Sequence, residues 1–220
     1  MKLSANCQDW LNSLPQTRGC LKKEQSLGRE LLLEQGIPSN KDEAWRLCNF
    51  NRLNSFLSLP TIIKSEDVKS KFPDKDKNRE RIIINSNRNQ FKNIDLSNGI
   101  EKLNDREIEE SLSKIVKSTN VKNDFSVCLN QASSLELLAL KVRRDFNKSL
   151  EIVIPSIKEK SISTRIYLLV EEGAKLDLLQ VFLGNNNSAQ NHLIEIKLES
   201  KVELSHGLIS LGEEKESSSI

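Results

Sequence analysis

Two histidines, four cysteines and a scatter of acidic side chains are the residues through which this 220-residue chain could do chemistry. His192 stands three positions before Glu195 in "HLIE". On a helix that spacing would put both on one face, as a metal pair needs. On a strand the period is two, so His192 joins Ile194 and Ile196 while Glu195 points away. The segment alternates as a strand, which argues against a joint metal site. His206, beside Gly207, has no acidic or cysteine neighbour suited to ligation and reads as a structural or surface histidine. Cys7, Cys20, Cys48 and Cys128 form no CxxC pair and have no histidine nearby, so no zinc or cluster site is supported within this chain. They read as scattered reduced thiols.

Other reaction signatures are missing. No GxxxxGK[ST] loop is present to cradle the phosphates of ATP, and neither GxGxxG nor GxSxG occurs. A polysaccharide-cleaving protein would need a carboxylate pair set apart from the other acids. Here Glu171 and Glu199 sit in turns close to lysines, the pattern of a solvated rim. Residue chemistry alone therefore points to a scaffold or interaction protein rather than an enzyme, with no catalytic, cofactor or metal residues.

Bulk properties narrow the partners. Lysine and arginine number 33 against 31 acidic residues, a net charge of +2. That balance gives no basic surface for nucleic acid. The start "MKLSANCQDW" has no apolar core of a signal peptide, and apolar runs such as "IYLLV" are far too short to span a bilayer. The expectation is a cytoplasmic protein without a membrane partner.

The elements that must position these residues fall into three stretches. Residues 1–60 read as helical. "CLKKEQSLGRELLLEQGIP" places Leu27, Leu31 and Glu34 at helical spacing, with Leu32 and Leu33 widening the apolar face; Gly36 and Pro38 stop the helix. "SNKDEAWR" restarts one, capped by Ser39 or Asn40, with Asn40 and Glu43 at capping-box spacing and Trp45 as a packing anchor. Residues 61–148 combine a charged linker, Lys64 to Arg81, with a mixed α/β segment. "RIIIN" and "NQFKNIDL" read as strands. "NDREIEESLSKIVKS" reads as an amphipathic helix, Asn104 and Glu107 forming its capping box and Ile108, Leu112, Ile115 and Val116 its buried stripe. "DFSVCLNQAS" is a short helical piece before the strand-like "LELLALKV".

From Ser149 onward strand follows strand without a helix between, which excludes a doubly wound sheet. One pattern also appears twice. "VEEGAKLDLLQVFLG" (Val170 to Gly184) and "LESKVELSHGLISLG" (Leu198 to Gly212) superpose at an offset of 28 residues. Glu171, Leu176, Leu183 and Gly184 then meet Glu199, Leu204, Leu211 and Gly212. Such a period predicts stacked coils, the leucines inward and the glycine at the corner. Two copies leave a β-sandwich as the alternative.

Two stretches resemble a known family. "RELLLEQGIPSNKDEAWRLCNFNRL", through Gly36, Pro38, Lys41, Glu43, Trp45 and Arg46, is similar to the N-terminal signature of SufD. "RIYLLVEEGAKLDLLQVFLGNNNSAQNHLIEIKLESKVELSHGLISLGEE" resembles the core shared by SufB and SufD, through Arg165, Glu172, Ala174, Leu176, Gly184, Asn191, Glu195, Leu204 and His206. The likeness runs from about residue 25 to 220, loosely through the charged middle. Departures are Leu47–Cys48, where the family often has Tyr–Thr, and Val202, where it has a small alanine.

The resemblance implies an α+β chain: a helical N-terminal domain followed, over 149–220, by the first coils of a right-handed parallel β-helix. It implies a non-catalytic scaffold subunit of the SufB–SufC–SufD complex, which assembles iron–sulfur clusters for apo-proteins. The partners are then a SufB-like paralogue and a SufC-like ATPase, and the cluster is handled by the complex, not held by this chain alone. Gly36, Pro38, Glu43, Trp45, Arg46, Arg165, Glu172, Ala174, Glu195 and His206 carry structural roles. Family members continue well past the position of Ile220, so the resemblance also implies a partial chain or one whose open end a partner covers. A β-helical adaptor that pairs through its coil end, and a carbohydrate-active β-helix enzyme, are the competing expectations.

Overall fold

The computed structural model describes residues 5–14, 20–50, 53, 57–60, 76–84, 96–118, 124–184, 187–212 and 217–219. Among the described residues, the α-helices α1 (Ala5–Ser13), α2 (Leu21–Gln35), α3 (Asp105–Ser118) and α4 (Phe125–Ser133) accompany a set of strands. The strands are β1 (Arg79–Ile83), β2 (Ile100–Lys102), β3 (Leu137–Val142), β4 (Ser149–Pro155), β5 (Ser161–Val170), β6 (Lys175–Leu183), β7 (Ser188–Leu198), β8 (Glu203–Leu211) and β9 (Ser217–Ser219). The chain is thus mixed α+β. Among the described residues no helix is long and apolar enough to cross a membrane.

From β3 onward consecutive strands alternate between two sheets. Sheet I has the order β2-β3-β5-β7-β9, and sheet II the order β1-β4-β6-β8. Every pairing is parallel except β2 with β3. The offset that the sequence repeats is the register of the sheets: Leu137 pairs with Arg165, Leu150 with Leu178, Ser161 with Ala189 and Lys175 with Glu203, each 28 residues on. Side chains therefore stack on their counterparts, Ile166 under Ile194 and Leu176 under Leu204. The core between the sheets is built from these columns: Ile82, Ile152, Ile154, Leu140, Leu168 and Leu178 are buried in it. Strands from residues 61–148 join both sheets, so strand pairing runs across the boundary placed at residue 149.

The corners repeat as well. Gly173 has φ 70° and Lys201, its counterpart, φ 59°; Glu159 has φ 59° and Asn187 φ 50°. The left-handed positions at the corners between β4 and β8 are thus these two columns. The repeated Gly184 and Gly212, expected to mark the corner, follow their strands with no positive φ. Gly184 serves instead as a backbone donor to Leu211 in the next strand.

Helices α2 and α4 pack on each other and lie over the outer face of sheet I. Leu32, Phe125, Cys128, Leu129 and Ala132 share a core with Trp10, Leu11 and Ala189. The buried stripe of α2 is Leu21, Gln25, Gly28 and Leu32, with Leu31 half-buried against the same helical layer, whereas Leu27 and Leu33 are exposed. Gly28 decides the rotation. Its missing side chain lets α4 come so close that an added Cβ would lie 2.7 Å from Gln131 Cβ. The stop at Gly36 is as expected, with φ 72° and ψ −174°, a conformation open to glycine alone.

Two capping expectations part company. Asn104 and Glu107 form the reciprocal box at the start of α3: Glu107 N–H donates to Asn104 Oδ1 at 3.0 Å, and Asn104 N–H to Glu107 Oε2 at 2.8 Å. Ile108 is buried, while the side chains of Leu112, Ile115 and Val116 lie outside the described residues, as do most of the Lys64–Arg81 linker and "NQFKNIDL". "SNKDEAWR" forms only a 3-10 turn, Glu43–Trp45. There Asp42 takes the Ser39 N–H at 2.7 Å and the Ser39 hydroxyl at 3.3 Å, so the loop is tied by Ser39 and Asp42 rather than by Asn40 and Glu43.

Candidate functional site

The seam between the helices and sheet I concentrates the buried polar residues. Arg165 on β5 is 1% exposed. Its register partner on β7 is Leu193, which makes Glu195 the diagonal neighbour on the same face. Arg165 Nε donates to Glu195 Oε2 at 3.1 Å, and Nη1 reaches Glu24 Oε2 on α2 at 3.5 Å. Gln131 on α4 donates to the same Glu24 oxygen at 3.4 Å. One planar guanidinium thereby joins a helix to two strands, a geometry that lysine's single ammonium does not reproduce.

Amides carry the rest of the seam. Asn130 Nδ2 lies 3.0 Å from Thr164 O, and 3.1 Å from both the backbone and side-chain oxygens of Asn191. Ser134 donates to Asn130 Oδ1, and Asn191 Nδ2 donates to Ser126 O. A buried network satisfied at each of these amides fixes α4 to a single position on the sheet. Trp45 closes the outer edge, meeting Phe125 edge-on with centroids 5.6 Å apart.

Both histidines point between the sheets. His192 Nε2 is 2.9 Å from Gln190 Oε1, and Gln190 Nε2 donates to Leu183 O. Nε2 therefore carries the proton, and the Thr164 hydroxyl donates to Nδ1 at 2.7 Å. Phe182 stacks on the ring at 4.4 Å. Burial pushes the His192 pKa down to about 3. His206 Nε2 is 2.8 Å from Gln180 Oε1. The alternation expected of "HLIE" holds: His192 shares the inward face with Ile194 and Ile196, and Glu195 faces the helices.

The outer face of sheet II carries an open groove of about 350 Å³ lined by Arg79, Ser149, Glu151, Asp177, Ser205 and Gly207 among others. Its two carboxylates are not equivalent. Glu151 is buried and held by Arg79 at 3.2 Å and by Arg81, while Asp177 is exposed. Both carboxylate oxygens of Glu151 are thus engaged by guanidinium groups of β1. Among the described residues no group of three or more His, Cys, Asp or Glu side chains is placed to hold a metal ion. Among the described residues, Cys20, Cys48 and Cys128 are not joined in a disulfide. Burial is the main cause raising the pKa of Cys20 and takes Cys128 to about 11, so both remain protonated at neutral pH.

Of the residues singled out in the sequence, the structure joins Arg165 to Glu195, pairs Leu176 with Leu204 and puts Asn191 in the same seam as the ion pair. Gly36 ends α2, Pro38 is half-buried, and Glu43 and Arg46 are exposed around the turn that carries Trp45. Glu172 lies at a corner, 3.9 Å from Lys201, and Ala174 is fully buried just after it. Glu24, Asn130, Gln131 and Gln180 were not legible as site residues. Most of their partners lie far off in the chain, Arg165 being 141 residues from Glu24 and Asn191 61 from Asn130, whereas Thr164 and His192 stand at the repeat distance of 28. No family model matches the chain, and no curated protein sequence matches it.

Proposed function

We propose that this chain is a SufD-like, non-catalytic scaffold subunit that works in the cytoplasm with a SufB-like paralogue and a SufC-like ATPase, the iron–sulfur cluster being cargo of the complex. In this reading the two sheets are the opening coils of a right-handed parallel β-helix, and the helices over sheet I are the N-terminal layer. The observation that carries it is the ion pair of Arg165 with Glu195. Both residues belong to the stretch that resembles the SufB/SufD core, and the pair sits where the helical layer meets stacked strands of constant register. The lack of a phosphate loop in the sequence suits a subunit that leaves ATP to another protein.

An anaerobic pull-down of the chain against a SufB-like and a SufC-like protein tests this. Capture of either supports the scaffold role, and ATP turnover by the SufC-like protein should rise only in the assembled mixture. If neither is captured and turnover does not change, the reading fails.

A second reading, an adaptor that pairs through its sheet edge, is favoured by one feature. Leu198, Leu208, Ile209 and Leu211 are exposed on β7 and β8, with Leu208 at 58%. Concentration-dependent self-association, measured by sedimentation without any partner, separates it from the first. A carbohydrate-active enzyme is disfavoured by the two arginines on Glu151.

A further inference from the structure

We propose that Asn98–Gly99 is a site of self-modification, at which Asn98 deamidates through a cyclic imide to aspartate and isoaspartate at the edge of sheet I. The reaction needs an asparagine amide, an unhindered backbone nitrogen on the next residue, and water. Asn98 is exposed. It occupies the second position of a turn closed by Ile100 N–H to Ser97 O at 3.2 Å. Gly99 stands third with φ 90°, the pattern of a type II turn. Ile100 N–H and Gly99 C=O are engaged, the latter by Arg143 N–H at 2.8 Å, whereas Gly99 N–H donates to no backbone carbonyl among the described residues.

Packing forbids the usual protection, which is a bulkier residue after the asparagine. A Cβ at position 99 would lie 2.7 Å from Phe146 Cα and 2.8 Å from Phe146 N. The positive φ disfavours a side chain there as well. The turn thus requires the residue that leaves Asn98 labile.

Hydroxide removes the Gly99 amide proton, and the nitrogen attacks Asn98 Cγ. The new N–Cγ bond closes the imide ring as the Cγ–NH2 bond breaks, and the amide leaves as ammonia after taking a proton from water. Water then opens the ring. Attack at the side-chain carbonyl gives an ordinary aspartate, and attack at the main-chain carbonyl gives isoaspartate. The balance is one water consumed and one ammonia released, with no redox partner. Either product puts a carboxylate on the turn. Isoaspartate also adds one atom to the main chain just before β2, displacing the Gly99 carbonyl from Arg143 and disturbing the pairing of Ile100 with Val142.

The test is to age the folded full chain at mildly alkaline pH and follow the peptide containing Leu96 to Glu101 by mass and by enzymatic methyl labelling of isoaspartate. Expected is a mass gain equal to replacing NH2 by OH, with label on that peptide appearing faster than at every other asparagine and absent in Asn98→Ser. Asn98→Asp, which brings the charge without the extra backbone atom, should keep the original melting temperature while the aged protein loses some. Conversion in the urea-unfolded chain but not in the folded one would overturn the proposal, because the turn would then protect the site. So would label that persists in Asn98→Ser.

Discussion

Arg165 and Glu195 lie on neighbouring parallel strands, two residues out of direct register, and meet at 3.1 Å beneath helix α2. The guanidinium is fully enclosed, and its second terminal nitrogen has no hydrogen-bond partner among the described residues. Such a clamp is costly to break from one side only, since the group left behind keeps its burial and loses its partner. Arg165→Met should therefore destabilise the chain by about 3 kcal/mol. In a double-mutant cycle with Glu195→Gln in urea, the two losses should not add. Additive losses would mean that the pair is not coupled.

The His192 geometry makes stability depend on acid. The folded ring stays neutral because burial holds its pKa near 3, whereas the unfolded ring binds a proton near its ordinary value of 6.5. The unfolded state thus takes up more protons below that value, and stability falls with decreasing pH between about 6.5 and 3. The contribution approaches about 1.4 kcal/mol per pH unit for one proton. Carboxylates add their own slope, so the comparison is with His192→Gln, whose urea midpoints should fall less steeply with acid. Parallel curves would remove His192 from the account.

Gly28 tolerates nothing larger. Gly28→Ala gains about 1 kcal/mol of helix propensity, but it drives a methyl into Gln131 and the Ala132 nitrogen, 2.8 Å away. Overpacking of this kind typically costs about 1–3 kcal/mol, so thermal melting should show a net loss. Leu27→Ala, on the exposed side of the same helix, should leave the melting temperature nearly unchanged.

The corner columns predict opposite responses at equivalent positions. Gly173→Ala forces a side chain into a left-handed conformation and should cost about 1 kcal/mol. Lys201→Gly relieves the same conformation 28 residues later and should be neutral or mildly stabilising, since its ion pair with Glu172 is long and solvated. Urea unfolding of both variants checks the sign. Equal losses at the two sites would contradict equivalence of the corners.

Thiol reactivity should follow burial. Cys48 is exposed, whereas Cys128 is enclosed with its pKa raised to about 11. Only the thiolate alkylates, so iodoacetamide should label Cys48 in the folded chain and Cys128 only after unfolding, as read by peptide mass.

Much of the strand architecture is legible because a stacked sheet writes its register into the sequence. Glu171 and Glu199 announce the spacing that hydrogen bonds then realise, and "SLEIVIP" onward needs only alternation to be read as strands. The Asn104–Glu107 box is legible because both partners lie within one turn. Leu27 misleads because helical periodicity ranks residues by apolarity, while the seat of α2 is set by the close approach at Gly28. Glu24 is invisible for a different reason: its partner Arg165 lies 141 residues away, and no local pattern links them. Alternation puts Glu151 on the face opposite Ile152, but it does not reveal the pair of arginines from β1 that buries it there.

The 28-residue register shared by β3–β5, β4–β6, β5–β7 and β6–β8 has a consequence for how such a chain changes length. Each strand is paired only with those directly beside it in its sheet, so no position in the column senses how many units lie beyond its neighbours. A segment of one full period can be gained or lost with every inward side chain, corner and ladder bond returning in phase. A segment of odd length gained or lost within a strand would instead turn its inward side chains outward. Length in this architecture is quantised, and growth by duplication is its least disruptive path.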